Sequence, residues 1–107
     1  MASEKLSIRL SSGMLVEIDA EEWPLIGEAE WTTQRDGGVV EAHVLVRRHA
    51  DYRAVIYLDA NPGEGQFDKG DLLPASSTEV EEFVSRFGEL HEMPNWVVDR
   101  CVQSIRG

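Results

Sequence analysis

The chain has 107 residues, 42% apolar and 28% charged, which fits one globular domain over residues 1–107 and excludes a disordered tract. Twenty acids oppose ten bases, a formal charge of −10, which disfavours direct contact with nucleic acid or an anionic membrane and favours a basic partner. Cys101 is the single cysteine, so neither an internal disulfide nor a thiolate zinc cluster can form.

The opening residues MASEKLSIRL hold no apolar run of signal-peptide length. No run approaches the ~18 residues that a spanning helix needs. A cytoplasmic, reducing setting is therefore expected.

Leu6, Ile8 and Leu10 alternate with polar residues, and Met14, Val16 and Ile18 repeat the pattern after Ser11-Ser12-Gly13. Two such runs around a short glycine turn predict a hairpin. Asp19 with Glu22 resembles a capping box, and Pro24 then suits the first turn of a short helix anchored by Trp23, Leu25 and Ile26. Residues 28–34 alternate as a strand with Trp31 inward, and Asp36-Gly37-Gly38 marks a turn.

Val39 to Asp59 is the most strand-like stretch. Val40, Ala42, Val44 and Val46 share one face of its first half, with Glu41, His43, Leu45 and Arg47 on the other. A turn follows at His49–Tyr52. In the second half Ala54, Ile56 and Leu58 are expected inward, with Val55 and Tyr57 facing out. Leu45, Val55 and Tyr57 on an outer face would suit a helix cover or a homodimer.

Residues 61–76, rich in glycine and proline, predict a long loop held by Phe67, Leu72 and Leu73. Thr78-Glu79-Val80-Glu81 reads as a capping box opening a helix whose apolar stripe is Val80, Phe83, Val84, Phe87 and Leu90, ending near Gly88. Pro94 suits the first turn of a second helix, with Val97, Val98, Cys101, Val102 and Ile105 inward. Strands first and helices last predict an α+β fold: an antiparallel meander of about five strands with two C-terminal helices on one face.

The chemistry is sparse. Gly65 and Gly70 have P-loop spacing, but Asp71-Leu72 stand where Lys and Ser or Thr are required. An EF-hand starting at Asp59 fails, with Glu64 at the obligatory glycine and Gly70 at the bidentate glutamate. A looser cation site from Asp59, Glu64, Asp68 and Asp71 lacks evidence that its oxygens converge. His43 and His49 lie six residues apart on one strand, too far to share an ion. Cys101 falls at a buried helical position, where a thiol is inert. No serine has a nucleophile-elbow setting. No cofactor, metal or catalytic group is expected, and no motif matches a known family residue by residue.

Charge is the remaining signal. Residues 17–30 hold six acids and no base, and residues 59–99 hold ten acids and two bases. Residues 41–53 reverse this, with Arg47, Arg48 and Arg53 against Glu41 and Asp51. These arginines could pair locally with acids, bind an anion through their planar forks, or serve a protein contact with Tyr52.

The expected function is a small acidic, non-enzymatic binding protein that engages a basic protein surface. An inhibitor occupying a nucleic-acid channel by charge mimicry, of the anti-CRISPR or anti-restriction type, is its specific form. The candidate contacts are Glu21, Glu22, Glu28, Glu30, Glu79, Glu81 and Glu82, with Arg47, Arg48, Tyr52 and Arg53 as a secondary patch. Antitoxin or immunity-type binding, self-association, and a small enzyme or ligand-binding domain with a site under the long loop are the alternatives.

Overall fold

The computed structural model describes residues 5–35, 37–59 and 68–107. The elements run β1 (Lys5–Leu10), β2 (Leu15–Asp19), β3 (Leu25–Arg35), β4 (Gly38–Arg48), β5 (Tyr52–Asp59), β6 (Asp68–Pro74), α1 (Val80–Leu90) and α2 (Asn95–Arg106). The class is α+β, as expected. The sheet has six strands, in the order β2-β1-β6-β5-β4-β3. It is mixed, because β1 runs parallel to β6 while the other neighbours are antiparallel.

The added strand is β6, which occupies residues read from sequence as loop. Its sequence DKGDLLP lacks β-branched residues, carries three charges and ends on proline, so propensity argues against it. Pairing on both sides, to β1 and β5, overrides that preference. Leu73 is buried and Leu72 half-buried, as expected of anchors; Phe67 and Glu64 lie outside the described residues.

The segment before β3 also differs from expectation. A tight turn precedes Pro24, with the Asp19 carbonyl accepting the Glu22 and Trp23 N–H groups at 3.0 and 3.1 Å. The Asp19 carboxylate accepts the Glu21 N–H at 2.9 Å. After Pro24 the chain is strand, not helix. Its first residues are fixed from far away: Arg48 N–H donates to the Pro24 carbonyl, and Arg47 Nη1 to the Trp23 carbonyl, both at 3.0 Å. A bulge between Leu25 and Gly27 then places Ile26 as an extra residue beside the helices and leaves Leu25 exposed.

Each face of the sheet carries a buried cluster. Register pairs Val46 with Val55 and Val44 with Tyr57, so these four share the face under the helices. Val55 and Tyr57 are therefore core residues, contrary to the outward placement expected for them. Ala29, Trp31, Val84, Phe87, Val97 and Cys101 are among the residues packed with them. The second face gathers Ile8, Ile18, Trp23, Ala54 and Ile56, with Leu45 and Leu58 packed against them.

No helix covers this second face; curvature does. β2 and β3 are opposite edges, yet only five residues join them. In a flat sheet the edges would stand about 24 Å apart, at ~4.8 Å per neighbour. Six Cα steps reach at most about 20–22 Å when fully extended, and this segment is turned back on itself. The sheet must therefore coil, and Trp23, 7% exposed, packs with Ile8, Ile18, Ala54 and Ile56 on this face.

The helix ends are simpler than expected. Glu79, not Thr78, is the α1 N-cap, and no side chain caps it. Ser77 Oγ accepts the Glu79 N–H at 3.1 Å instead. α1 runs past Gly88, whose missing Cβ admits Val98 of α2: a Cβ there would stand 2.6 Å from Val98 Cγ2. Leu90, expected in the core stripe, is 59% exposed. Pro94 is the N-cap of α2, one position ahead of its expected place in the first turn. Among the described residues no helix is long and apolar enough to cross a membrane.

Between the helices, Met93 N–H donates to the Gly88 carbonyl at 2.8 Å, and Glu92 takes φ +55°. That is the left-handed closing residue of a helix, a position glycine prefers. Glu92→Gly is expected to raise the unfolding free energy by about 1 kcal/mol, read as an increased urea midpoint at unchanged slope.

Candidate functional site

The β3–β4 register decides which acids meet. Glu30 lies opposite His43, Thr32 opposite Glu41, and Glu28 opposite Leu45. Cross-strand partners point to the same side, so Glu28, Glu30 and Glu41 share the face opposite the helices. Carboxylates two residues apart on a strand stand about 6.6 Å apart along it. All three are exposed, and no lysine or arginine occurs in residues 25–34 or 38–46.

His43 is the one nitrogen among them. Its Nε2 lies 3.1 Å from Glu28 Oε2 and 3.9 Å from Glu30 Oε1. Beside it a groove of about 380 Å³ is lined by Glu30, Thr32, Glu41, His43 and Leu58. The row and groove offer acceptors over an apolar floor, an arrangement that suits a lysine or arginine side chain with its aliphatic stem.

The other acidic candidates lie elsewhere. Glu21 and Glu22 are exposed in the turn before Trp23. Glu79, Glu81 and Glu82 sit at the start of α1, which packs on α2 and β6 rather than on β3. Glu81 is engaged by Arg106 Nη1 at 3.0 Å. Glu28 and Glu30 are thus the two candidates brought together, and Glu41 and His43 join them unforeseen. Glu41 falls three residues after the Asp36–Gly38 turn, and hairpin register from that turn was the signal that could have found it.

At the arginine tip, two side chains meet backbone oxygen rather than the carboxylates expected of local ion pairing. Arg47 donates to the Trp23 carbonyl, and Arg53 Nη1 donates to the His49 and Tyr52 carbonyls at 2.9 and 3.0 Å. Among the described residues no carboxylate lies within ion-pair distance of Arg47, Arg48 or Arg53. Two of the three are therefore bound to backbone oxygen, tying the β4–β5 turn to the segment that enters β3. His49 stacks on Trp23 at 4.6 Å, and Tyr52 extends the stack at 6.5 Å from Trp23. Tyr52 and Arg48 remain exposed.

Titration marks two groups. Burial pushes the Cys101 thiol up to about 11, only partly offset by the Arg100 charge, so it stays protonated and unreactive at neutral pH. Burial also raises the Asp68 carboxyl, where β6 meets β1. Its folded-state pKa then exceeds the unfolded value. The folded protein holds the proton longer, so stability falls as pH rises through that interval. Asp68→Asn is expected to raise the urea midpoint at pH 7 and to leave it unchanged below the ordinary carboxylate pKa. Among the described residues no group of three or more His, Cys, Asp or Glu side chains is placed to hold a metal.

No family model, no curated protein and no solved structure matches the chain.

Proposed function

We propose that this is a small acidic, non-enzymatic binding protein that engages a basic surface of another protein through the β3–β4 row of Glu28, Glu30 and Glu41. The observation that carries the reading is the one-sided placement of three exposed carboxylates on a strand pair without lysine or arginine between residues 38 and 46. The net charge of −10 adds long-range attraction toward such a surface. In its specific form the protein is an inhibitor that occupies a nucleic-acid-binding channel by charge mimicry, as anti-CRISPR and anti-restriction proteins do. An antitoxin or immunity role uses the same contacts. A cytoplasmic setting accords with the single buried thiol. Self-association through Leu45, Val55 and Tyr57 is not favoured, because Val55 and Tyr57 are buried beneath the helices.

The test is capture of a partner from host lysate on the immobilised protein, repeated with two triple variants. Glu28→Gln/Glu30→Gln/Glu41→Gln should lose the basic protein that the parent retains. Glu79→Gln/Glu81→Gln/Glu82→Gln, with the same change in net charge, should keep it. Equal loss in both variants would reduce the effect to net charge and remove the row from the reading.

A further inference from the structure

The helices cover only part of their face of the sheet. Ser7 and Arg9 of β1, and Leu15 and Glu17 of β2, are exposed beyond α1. Where α1 flanks this uncovered end, a cavity of about 560 Å³ opens between helix and strands. Ser11, Asp71, Phe83, Arg86, Phe87 and Leu90 line it, and Glu89 stands with them. A smaller recess of about 100 Å³ shares Ser11, Asp71 and Leu90 with the cavity and adds Arg9, Lys69 and His91.

Two observations set this place apart. First, Arg86 in the cavity and Arg9 and Lys69 in the adjoining recess bring three bases to neighbouring hollows of a chain with twice as many acids as bases. Of the two opposing carboxylates, Asp71 Oδ1 already accepts the Ser11 N–H at 3.1 Å and its hydroxyl at 2.8 Å. Arg86 has no carboxylate within ion-pair distance among the described residues. Second, His91 is the one buried polar or charged side chain among the described residues, and it lies at the edge of the recess. Tyr57 and Phe87 hold its ring at centroid distances of 4.8 and 4.4 Å.

We infer that this cavity is a binding site for a small organic carboxylate with an apolar body. Its volume lies within the roughly 300–1,000 Å³ of ligand sites, and it pairs apolar walls with a few convergent polar groups, as those sites do. Arg86 presents a planar fork to the carboxylate. Phe83, Phe87 and Leu90 receive the aromatic or aliphatic body. Arg9 and Lys69 add positive potential at the recess. The site lies on the helix face of the sheet, opposite the acidic row, and stands independently of the proposed partner.

The experiment is a ¹⁵N chemical-shift titration of the whole chain with phenylacetate and with hexanoate, at matched ionic strength, against phenylacetamide. Shifts are expected to cluster at Ser11, Asp71, Phe83, Phe87 and Leu90 with the acids. The uncharged amide should bind about tenfold or more weakly, the loss of one charge-assisted contact. Arg86→Gln should weaken the acids similarly. Arg100→Gln, an exposed arginine on α2, should not. Absence of this cluster with both acids, equal binding of phenylacetamide, or equal loss in Arg100→Gln would overturn the assignment.

Discussion

Gly70→Ala is expected to lower the unfolding free energy by about 3 kcal/mol, at the upper end of overpacking costs. A Cβ at this position in β6 would stand 2.8 Å from Ile8 Cγ2, 2.9 Å from the Val55 carbonyl oxygen and 3.5 Å from Ile56 Cα. Two of those three atoms are backbone of the neighbouring strand and cannot rotate away. Ile8 is 1% exposed in the coiled side of the sheet and has no space to retreat into. Trimming the side chain with Ile8→Ala removes one contact but leaves the clash with the Val55 carbonyl, so the double variant should not recover. Chemical unfolding of both proteins reads this directly. A Gly70→Ala protein as stable as the parent would mean that β6 does not lie between β1 and β5.

Gly27→Ala is the second large effect, about 2 kcal/mol of lost stability, by a different route. Here the obstruction is one residue of α2: a Cβ on Gly27 would overlap Ser104 Oγ and lie 2.6 Å from Ser104 Cβ. Gly27 pairs with Val46 and shares the helix-side face with Ala29 and Trp31, and its bare backbone lets α2 rest on β3. Because a single side chain is at fault, the two positions should be strongly coupled. Ser104→Gly alone should cost about 0.5–1 kcal/mol of helix propensity, and the double variant should be more stable than Gly27→Ala alone. Simple additivity in the cycle would contradict this packing. Ser104→Ala, which keeps the Cβ, should rescue less.

These glycines mark contacts that no local sequence pattern encodes. The hairpin at residues 5–18, the long β3–β4 and β4–β5 strands and both helices followed from alternation, turn residues and helical spacing, because each is a local pattern. β6 did not, since Gly70, Lys69 and Asp71 look like loop when read alone. Gly70 is required there by Ile8 and Val55, residues distant in sequence. The face of β5 is ambiguous in sequence for a related reason. Ala54, Ile56 and Leu58 alternate with Val55 and Tyr57, and both sets are apolar because both faces are buried. Alternation fixes two faces but cannot say which one meets the helices; the register of Val46 with Val55 does.

The candidate sites divide in the same way. The excess of acids is plain from composition, yet their meeting depends on strand pairing. Glu28 and Glu30 could be placed together from their spacing alone. Glu41 and His43 join them only through the β3–β4 register. The arginine tip stands out by contrast of charge, and two of its arginines hold backbone carbonyls, Arg47 at the entrance to β3 and Arg53 in the β4–β5 turn. The anion cavity has no linear signature, because Arg9, Lys69 and Arg86 come from three separate elements.

Electrostatic attachment to a basic partner has a direct test in the ionic-strength dependence of the affinity. With the captured partner purified, the dissociation constant is measured from about 0.05 to 0.5 M salt, a range over which the Debye length falls severalfold. Attachment through Glu28, Glu30 and Glu41 should weaken by more than about tenfold across that range, and less steeply in the Glu28→Gln/Glu30→Gln/Glu41→Gln variant. An affinity that does not change with salt, or a triple variant that binds as tightly as the parent, would contradict it.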